Sequence, residues 1–151
     1  MHFVIPVLLS GLLVGTDDKS GAKKEVDALA GMWEVVSVTV DGKKLERAKD
    51  AIEMYTFKAD GKLTTAALNI GDDKRSFDYI FKIVGTKEPK EIDLDLIVEG
   101  KAQNSPTKGI YVIKGNELKL CMTQEENAPR PKAFVTKEGS NTICYVMKRS
   151  K

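Results

Sequence analysis

Histidine is nearly absent from this chain, and its scarcity removes the commonest catalytic and metal-binding chemistries. Of the 151 residues only His2 is histidine, and it lies in an apolar N-terminal segment. Ser-His or Cys-His catalysis and ordinary histidine metal sites therefore lack candidates in the rest of the chain. GxSxG, Walker and dinucleotide-binding motifs are missing as well, as is any CxxC pair. We expect no catalytic residues, no cofactor and no metal site, and we do not expect an enzyme.

The chain also lacks a large excess of positive or of negative charge. Lys and Arg number 24 against 22 Asp and Glu, which gives a formal net charge of +2. So small a net charge does not favour a nucleic acid or an anionic membrane as a partner. With 42% hydrophobic residues, the length and composition fit one soluble domain with a modest core. We expect no nucleic-acid partner, and the sequence identifies no protein partner.

An apolar run long enough to span a membrane comfortably, about 20 residues, is missing too. The longest run, MHFVIPVLLSGLLVG, covers residues 1–15 and ends abruptly at TDDKSGAKKE. Its length matches the core of a secretory signal. We predict a signal peptide at 1–15, a linker at 16–21 and a domain at 22–151, exported to the periplasm, cell envelope or exterior without a stable membrane anchor after processing. An uncleaved anchor is the alternative, because Leu13 is unusually large for its place before a cleavage site after Gly15.

Cysteine is scarce, and the two that occur lie in predicted strands. Cys121 is in LKLCM and Cys144 is in TICYVM. If these strands are neighbours, a bridge would close a loop and stabilise the fold by about 3 kcal/mol. Nothing in the spacing brings the two together, so we favour two buried free thiols that behave as small hydrophobic residues.

A short helix is predicted before the β-structure begins. In AKKEVDALAG the residues Val26, Leu29 and Ala30 fall on one stripe, which favours an amphipathic helix over 22–30. Gly31 is placed to end that helix.

The chain beyond Gly31 reads as a series of short strands. Residue pairs that favour tight turns separate alternating apolar runs at Asp41-Gly42, Asp60-Gly61, Gly71-Asp72, Gly115-Asn116 and 139–141. The runs predict eight main strands and a shorter extended piece at 132–136. The strands lie near 32–40, 52–58, 62–70, 75–84, 91–98, 108–114, 117–122 and 142–149.

Hairpin-linked antiparallel strands favour a meander, and closing eight of them into a barrel removes the exposed edges. We therefore predict an all-β fold, an eight-stranded antiparallel up-and-down barrel with a short N-terminal helix. A two-sheet sandwich is the main alternative. In the first strand the apolar phase switches at Val35-Val36, which predicts a bulge or sharp bend there, or a strand covered on both faces.

The segment GMWEVVSV resembles the Gly-x-Trp signature that opens the first strand of lipocalins. The family places a basic residue late in its final strand, stacked on the indole, and CYVMKRS supplies Lys148 and Arg149. The resemblance implies a lipocalin-like barrel in which Gly31, Trp33 and Arg149 close one end. A guanidinium over an indole face stabilises by about 0.5 to 2 kcal/mol.

A closer resemblance covers nearly all of the chain beyond the signal. It is to the lipocalin-like domain family abundant in planctomycete bacteria, through LAGMWEVVSVTVDGKKL, YTFKADGKL, KEPKEIDLDL, KGIYVIKGNELKLCM, RPKAF and VMKR in that order. This resemblance implies an exported barrel whose biochemical role is undefined. Cys121 matches a recurrent position of the family whereas Cys144 does not, which also speaks against a bridge.

Two functions follow from the predicted barrel. In the first, a small apolar or amphipathic ligand binds inside, contacted by inward apolar residues: Phe77, Tyr79, Phe81, Tyr111, Leu118 and Leu120. In the second, a non-catalytic structural or protein-interaction module has a filled barrel and acts through its loops. An acid-base role for Asp93 and Asp95 would need both carboxylates to face inward, and we interpret them as solvent-facing.

Overall fold

Alternating apolar residues and tight turns fold the chain into a sheet that closes on itself. The computed structural model describes residues 17–47, 51–68, 74–125 and 128–151. These ranges contain one helix and ten strands. The elements are α1 (Asp17–Leu29), β1 (Gly31–Val40), β2 (Lys43–Lys44), β3 (Ile52–Phe57), β4 (Lys62–Leu68), β5 (Lys74–Gly85), β6 (Lys90–Val98), β7 (Lys101–Ala102), β8 (Thr107–Lys114), β9 (Glu117–Thr123) and β10 (Thr142–Arg149).

The eight longer strands form a closed antiparallel meander. Each pairs with its neighbour in the chain, except that β2 and β7 are two-residue side branches on β1 and β6. The barrel closes where β1 pairs with β10, in a register that sets Trp33 opposite Arg149. Closure leaves no long strand among the described residues with a wholly unpaired edge. The predicted eight-stranded up-and-down barrel is confirmed.

The predicted bulge in the first strand is confirmed as well. The register of β1 against β10 shifts between Val35 and Ser37, so Val36 is the extra residue. Trp33 and Val35 face the core before the bulge, and Val38 does so after it. The bulge therefore keeps the apolar residues of one strand on the inner face although their spacing changes.

The helix is longer than predicted. It begins at Asp17 and ends at Leu29, so most of the stretch predicted as a linker at 16–21 is helical. Ser20 and Gly21 have low helix propensity, which favoured a linker. The predicted signal peptide, residues 1–15, and the turn at Gly71-Asp72 lie outside the described residues.

The segment 128–141, which we call the strap, lies against the outside of the barrel. At one end the Arg130 guanidinium donates hydrogen bonds to the carbonyls of Ile92 and Gly109, at 2.9 and 2.8 Å, and pairs with Asp93 at 2.6 Å. At the other end the Thr136 hydroxyl accepts a hydrogen bond from the Gly42 amide at 2.8 Å. The strap thus crosses from β6 to the β1–β2 turn. Residues 132–136, predicted as extended, form bends rather than a strand.

Candidate functional site

One end of the barrel is closed around Trp33. Its indole is fully buried, and its Nε1 donates a hydrogen bond to the Leu29 carbonyl at 2.8 Å. The Arg149 guanidinium carbon lies 4.1 Å from the centre of the indole ring. The same guanidinium donates hydrogen bonds to the carbonyls of Ala30 and Ala28, at 2.9 and 3.0 Å, at the C-terminus of α1. Indole, arginine and helix end therefore form one connected closure.

Gly31 is required at this closure for two reasons. Its φ of +124° lies in a region that residues with a Cβ rarely adopt. A Cβ at this position would also stand 2.9 Å from Nη1 of Arg149. The structure thus brings Gly31, Trp33 and Arg149, the residues predicted from the lipocalin resemblance to close the barrel, into direct contact.

A buried polar link holds the helix against the same end. The Tyr111 hydroxyl donates a hydrogen bond to Glu25 at 3.0 Å, and Lys90 pairs with the other oxygen of that carboxylate at 2.7 Å. Burial raises the pKa of Tyr111 far above its ordinary value, and the neighbouring Glu25 adds to the shift. The phenol is therefore a neutral donor at physiological pH, and α1 is held as a lid over the barrel.

The barrel interior next to Trp33 is filled with apolar side chains. We call this region the Trp33 end; it contains Trp33, Phe57, Leu63, Phe81, Tyr111, Leu118 and Met147, all buried. The rings of Phe57 and Phe81 meet edge to face with centroids 5.2 Å apart. A packed core of this kind leaves no room for a ligand.

The opposite part of the interior, which we call the cavity end, contains a cavity of about 350 Å³. It is lined by Tyr55, Thr65, Tyr79, Leu94, Thr107, Leu120, Met122, Thr123, Gln124, Ile143 and Tyr145. A larger depression of about 490 Å³ lies outside the barrel, beside the turn 85–89. The cavity at this end differs because side chains of seven of the eight longer strands form its wall.

The wall of the cavity has two chemically different sides. Tyr145 on β10 and Tyr55, Thr65 and Tyr79 on β3, β4 and β5 supply four hydroxyl groups. On the other side Leu94, Leu120 and Met122 supply aliphatic surface next to Thr107, Thr123 and Gln124, and Ile143 lies on β10 beside Tyr145. The Tyr55 and Tyr145 rings lie 5.6 Å apart and are tilted by 55°. The four hydroxyl-bearing residues, which we call the hydroxyl wall, therefore face a surface that contains the aliphatic side chains of Leu94, Leu120 and Met122.

The phenols of the hydroxyl wall stay protonated. Burial raises the pKa of Tyr55 well above its ordinary value, and Tyr145 and Glu53 add to the shift. Burial is also the main reason that the pKa of Tyr79 and the pKa of Tyr145 are raised. All three phenols are therefore neutral at physiological pH, and within the wall Tyr55 is hydrogen-bonded to Tyr145 and Tyr79 to Thr65.

A carboxylate lies beside the hydroxyl wall. Glu53 precedes Tyr55 by two residues on β3, so both side chains are on the inner face, roughly 7 Å apart along the strand. Arg47 pairs with Glu53 at 3.7 Å and donates a hydrogen bond to the Val35 carbonyl. Both side chains are partly exposed, so solvent weakens this pair.

The six residues predicted to contact a ligand do not lie together. Tyr79 and Leu120 line the cavity. Phe81, Tyr111 and Leu118 are buried in the Trp33 end, because the barrel is filled there. Phe77 shares the face of Tyr79 but is 49% exposed, beyond the lining residues. Sequence reasoning missed Tyr55 and Tyr145, although each alternates with a buried residue, Phe57 and Met147 respectively, and this alternation is the signal that could have found them.

Cys121 and Cys144 form a disulfide, which corrects the prediction of two free thiols. They are direct partners in the β9–β10 register, with Cα atoms 4.1 Å apart. Their side chains point outward, opposite to Leu120 and Met122, and Cys121 is only 1% exposed. Phe134 and Thr136 of the strap border the same small pocket as both cysteines. The disulfide thus links two strands of the cavity end on their outer face, beside the strap.

Asp93 and Asp95 both point away from the barrel interior, because Ile92 and Leu94 between and beside them face the core. Asp93 pairs with Arg130, and Asp95 accepts a hydrogen bond from the backbone N–H of Asn104 at 3.0 Å. The inward pair that acid-base catalysis would require is not formed. Within the described ranges no group of three His, Cys, Asp or Glu side chains is placed to hold a metal ion.

Comparison with known proteins adds no assignment to this geometry. No family model, no curated protein and no solved structure matches the chain. In the part of the chain that the structure describes, no helix is long and apolar enough to cross a membrane.

Proposed function

We propose that this protein is an exported, lipocalin-like barrel that holds one small apolar or amphipathic molecule at its cavity end. The observation that carries the proposal is the cavity of about 350 Å³ inside the barrel wall. Ligand pockets typically measure about 300 to 1,000 Å³, so this cavity suits a small ligand. Its lining suits a molecule that is partly apolar and partly polar, since it combines four aliphatic side chains and three tyrosine rings with three threonines and one glutamine.

The division of the interior supports ligand binding over a purely structural role. A filled barrel acting through its loops would need apolar packing along its whole length. Here the packing is concentrated at the Trp33 end, whereas the cavity end carries threonine and tyrosine hydroxyls where bulky aliphatic residues would fill space. Polar residues at inward positions stabilise a fold less than well-packed aliphatic residues do, so their presence at one end favours a role in binding.

Export is supported by two features that are independent of each other. Residues 1–15 have the length and apolarity of a secretory signal core. The Cys121–Cys144 disulfide is of a kind that persists in oxidising compartments and is rare in the cytosol. Expression of the full chain in a bacterial host, followed by intact-mass measurement of the periplasmic fraction, tests this part. A mass corresponding to residues 16–151 with one disulfide is expected, and recovery of the full chain in the cytoplasm alone would contradict it.

The ligand-binding part is tested with a neutral fluorescent probe, N-phenyl-1-naphthylamine. Thr65 and Thr64 are adjacent on β4, but Thr65 lines the cavity whereas the Thr64 hydroxyl bonds to Asp78 on the exposed face. Thr65→Phe fills the cavity and is expected to weaken probe binding by about tenfold or more, because the displaced volume removes apolar contact. Thr64→Phe is the matched control and should bind as the wild type does.

Two results would count against the proposal. One is a wild-type protein, folded by circular dichroism, that does not enhance the probe's fluorescence. The other is equal loss of binding in the two phenylalanine variants, which would place the probe outside the cavity. Native mass spectrometry of the protein purified from its host complements the probe, because a co-purified small molecule would identify the ligand directly.

A further inference from the structure

The cavity has a chemical asymmetry that bears on which head group its ligand carries. The eleven lining residues include no Lys, Arg or His. The polar groups that they offer are the four hydroxyls of the hydroxyl wall, two further threonines and one glutamine amide. A ligand head group buried in this wall therefore meets hydrogen-bond donors and acceptors without a compensating positive charge.

The nearest charge on the inner face of β3 is negative. Glu53 follows the inward alternation of Tyr55 and Phe57, and its negative charge raises the pKa of Tyr55, of Tyr79 and of Tyr145, in each case less than burial does. Arg47 is engaged by Glu53 and by the Val35 carbonyl. Arg75 shares the inward side of β5 but lies four residues, about 13 Å, from Tyr79 along the strand. Neither arginine lines the cavity, and the guanidinium of Arg47 is already paired with Glu53.

We propose that the cavity selects an uncharged amphipathic molecule, with a hydroxyl, ester or amide head at the hydroxyl wall and an aliphatic part against Leu94, Leu120 and Met122, and that it discriminates against a free carboxylate. This inference rests on the proposed ligand-binding function. A neutral head group gains hydrogen bonds from the phenols at little desolvation cost. A carboxylate would lose its hydration without gaining a cationic partner, and it would be repelled by Glu53.

The experiment compares decan-1-ol with decanoate as competitors of N-phenyl-1-naphthylamine bound to the full chain, below the concentration at which decanoate forms micelles. At about pH 8 the decanoate carboxyl is ionised, so the two competitors differ in head-group charge but not in chain length. We expect decanol to displace the probe at a concentration about tenfold lower than decanoate, or lower still.

Two charge-matched variants locate the cause of the selectivity. Glu53→Gln removes the carboxylate beside the tyrosines and should strengthen decanoate binding by about threefold or more while decanol binding changes little. Glu34→Gln changes the net charge equally, but Glu34 lies on the exposed face of β1. It should leave the ratio of the two affinities unchanged. Tyr145→Phe should weaken decanol binding by about three- to tenfold through the lost hydroxyl.

The outcomes distinguish a failure of the proposed head-group selectivity from a failure of the proposed ligand binding. If the probe does not bind, both fail. If the probe binds and Thr65→Phe abolishes its binding, but decanoate competes as well as decanol, the cavity is a binding site without the proposed head-group selectivity. If Glu34→Gln narrows the decanol-to-decanoate ratio as much as Glu53→Gln, the selectivity comes from overall charge, and the role assigned to Glu53 is wrong.

Discussion

The two ends of the barrel are held together by different means. At the Trp33 end the interior is filled by aromatic and aliphatic side chains, and α1 is fixed over it by Arg149 and Glu25. At the cavity end the interior contains about 350 Å³ of space, and the reinforcement lies on the outside, where a disulfide links β9 to β10 and the strap crosses the wall.

This difference shows how a small barrel can keep an interior cavity. A cavity removes dispersion contacts and costs free energy in proportion to its size. A covalent cross-link in the wall offsets part of that cost without placing any atom in the interior. The Trp33 end therefore supplies packing energy, whereas the cavity end obtains stability from groups that leave its inner surface free.

The largest effect should come from the Trp33 end. Trp33→Ala removes a fully buried indole, its hydrogen bond to Leu29 and the surface beneath Arg149. We expect a loss of about 3 to 5 kcal/mol in the free energy of unfolding, measured by urea denaturation. Met32→Ala, at the exposed neighbouring position, is the control and should cost about 0.5 kcal/mol or less. An unchanged urea midpoint in Trp33→Ala would contradict the role of the indole in closing the barrel.

The second effect tests the reinforcement of the cavity end. The pair Cys121→Ala and Cys144→Ala removes the disulfide, which spans 23 positions in sequence, and should lower the free energy of unfolding by about 3 kcal/mol. Hydrogen exchange should accelerate in β9 and β10 around the former bridge more than near Trp33. The wild type in reducing agent should reproduce the variant's midpoint. Equal acceleration at the two ends would mean that the bridge stabilises the barrel as a whole.

The Trp33 end was largely predictable from the sequence, because its signals are local. Strict alternation and turn pairs locate the strands, and the phase switch at Val35-Val36 locates the bulge. The start of the helix was not predictable from local signals, because Ser20 and Gly21 have low helix propensity although they lie within α1.

The cavity end was less predictable, because its features depend on contacts between distant parts of the chain. Tyr55 and Tyr145 are ninety positions apart and meet only because the first and last strands close the barrel. The disulfide depends on a register that sets Cys121 opposite Cys144, which no spacing rule reveals. The strap has no periodicity, since irregular backbone anchored by Arg130 has neither the helical nor the strand repeat.

A smaller effect separates Arg149 from its neighbour. Arg149→Ala removes the guanidinium over Trp33 and its hydrogen bonds to Ala28 and Ala30, and it should cost about 1 to 2 kcal/mol in urea denaturation. Lys148 is exposed and points away from the indole, so Lys148→Ala should change the midpoint little. A larger loss of stability in Lys148→Ala than in Arg149→Ala would mean that Lys148, and not Arg149, is the cation that closes the barrel.

The smallest effect appears only at alkaline pH and compares a tyrosine from each end. Tyr111 and Tyr79 have a pKa raised by burial, and the shift is larger for Tyr111, where Glu25 adds to it. In the unfolded chain both phenols lose their protons near pH 10, whereas in the folded protein they do so only at a higher pH. The unfolded state therefore binds fewer protons above about pH 10, so stability is fully present below that pH and falls above it, by up to about 1.4 kcal/mol per pH unit for each tyrosine.

Substituting either tyrosine by phenylalanine removes the contribution of that tyrosine to the loss of stability above about pH 10. Urea midpoints between about pH 9 and about pH 11 should fall less steeply in Tyr111→Phe than in the wild type, and Tyr79→Phe should lie between them. Tyr111→Phe also loses the bond to Glu25, so its stability at neutral pH should be about 1 kcal/mol lower. If Tyr79→Phe flattened the alkaline slope more than Tyr111→Phe, the cavity end would be the drier of the two interiors, and the contrast between a packed and a ligand-accessible end would be reversed.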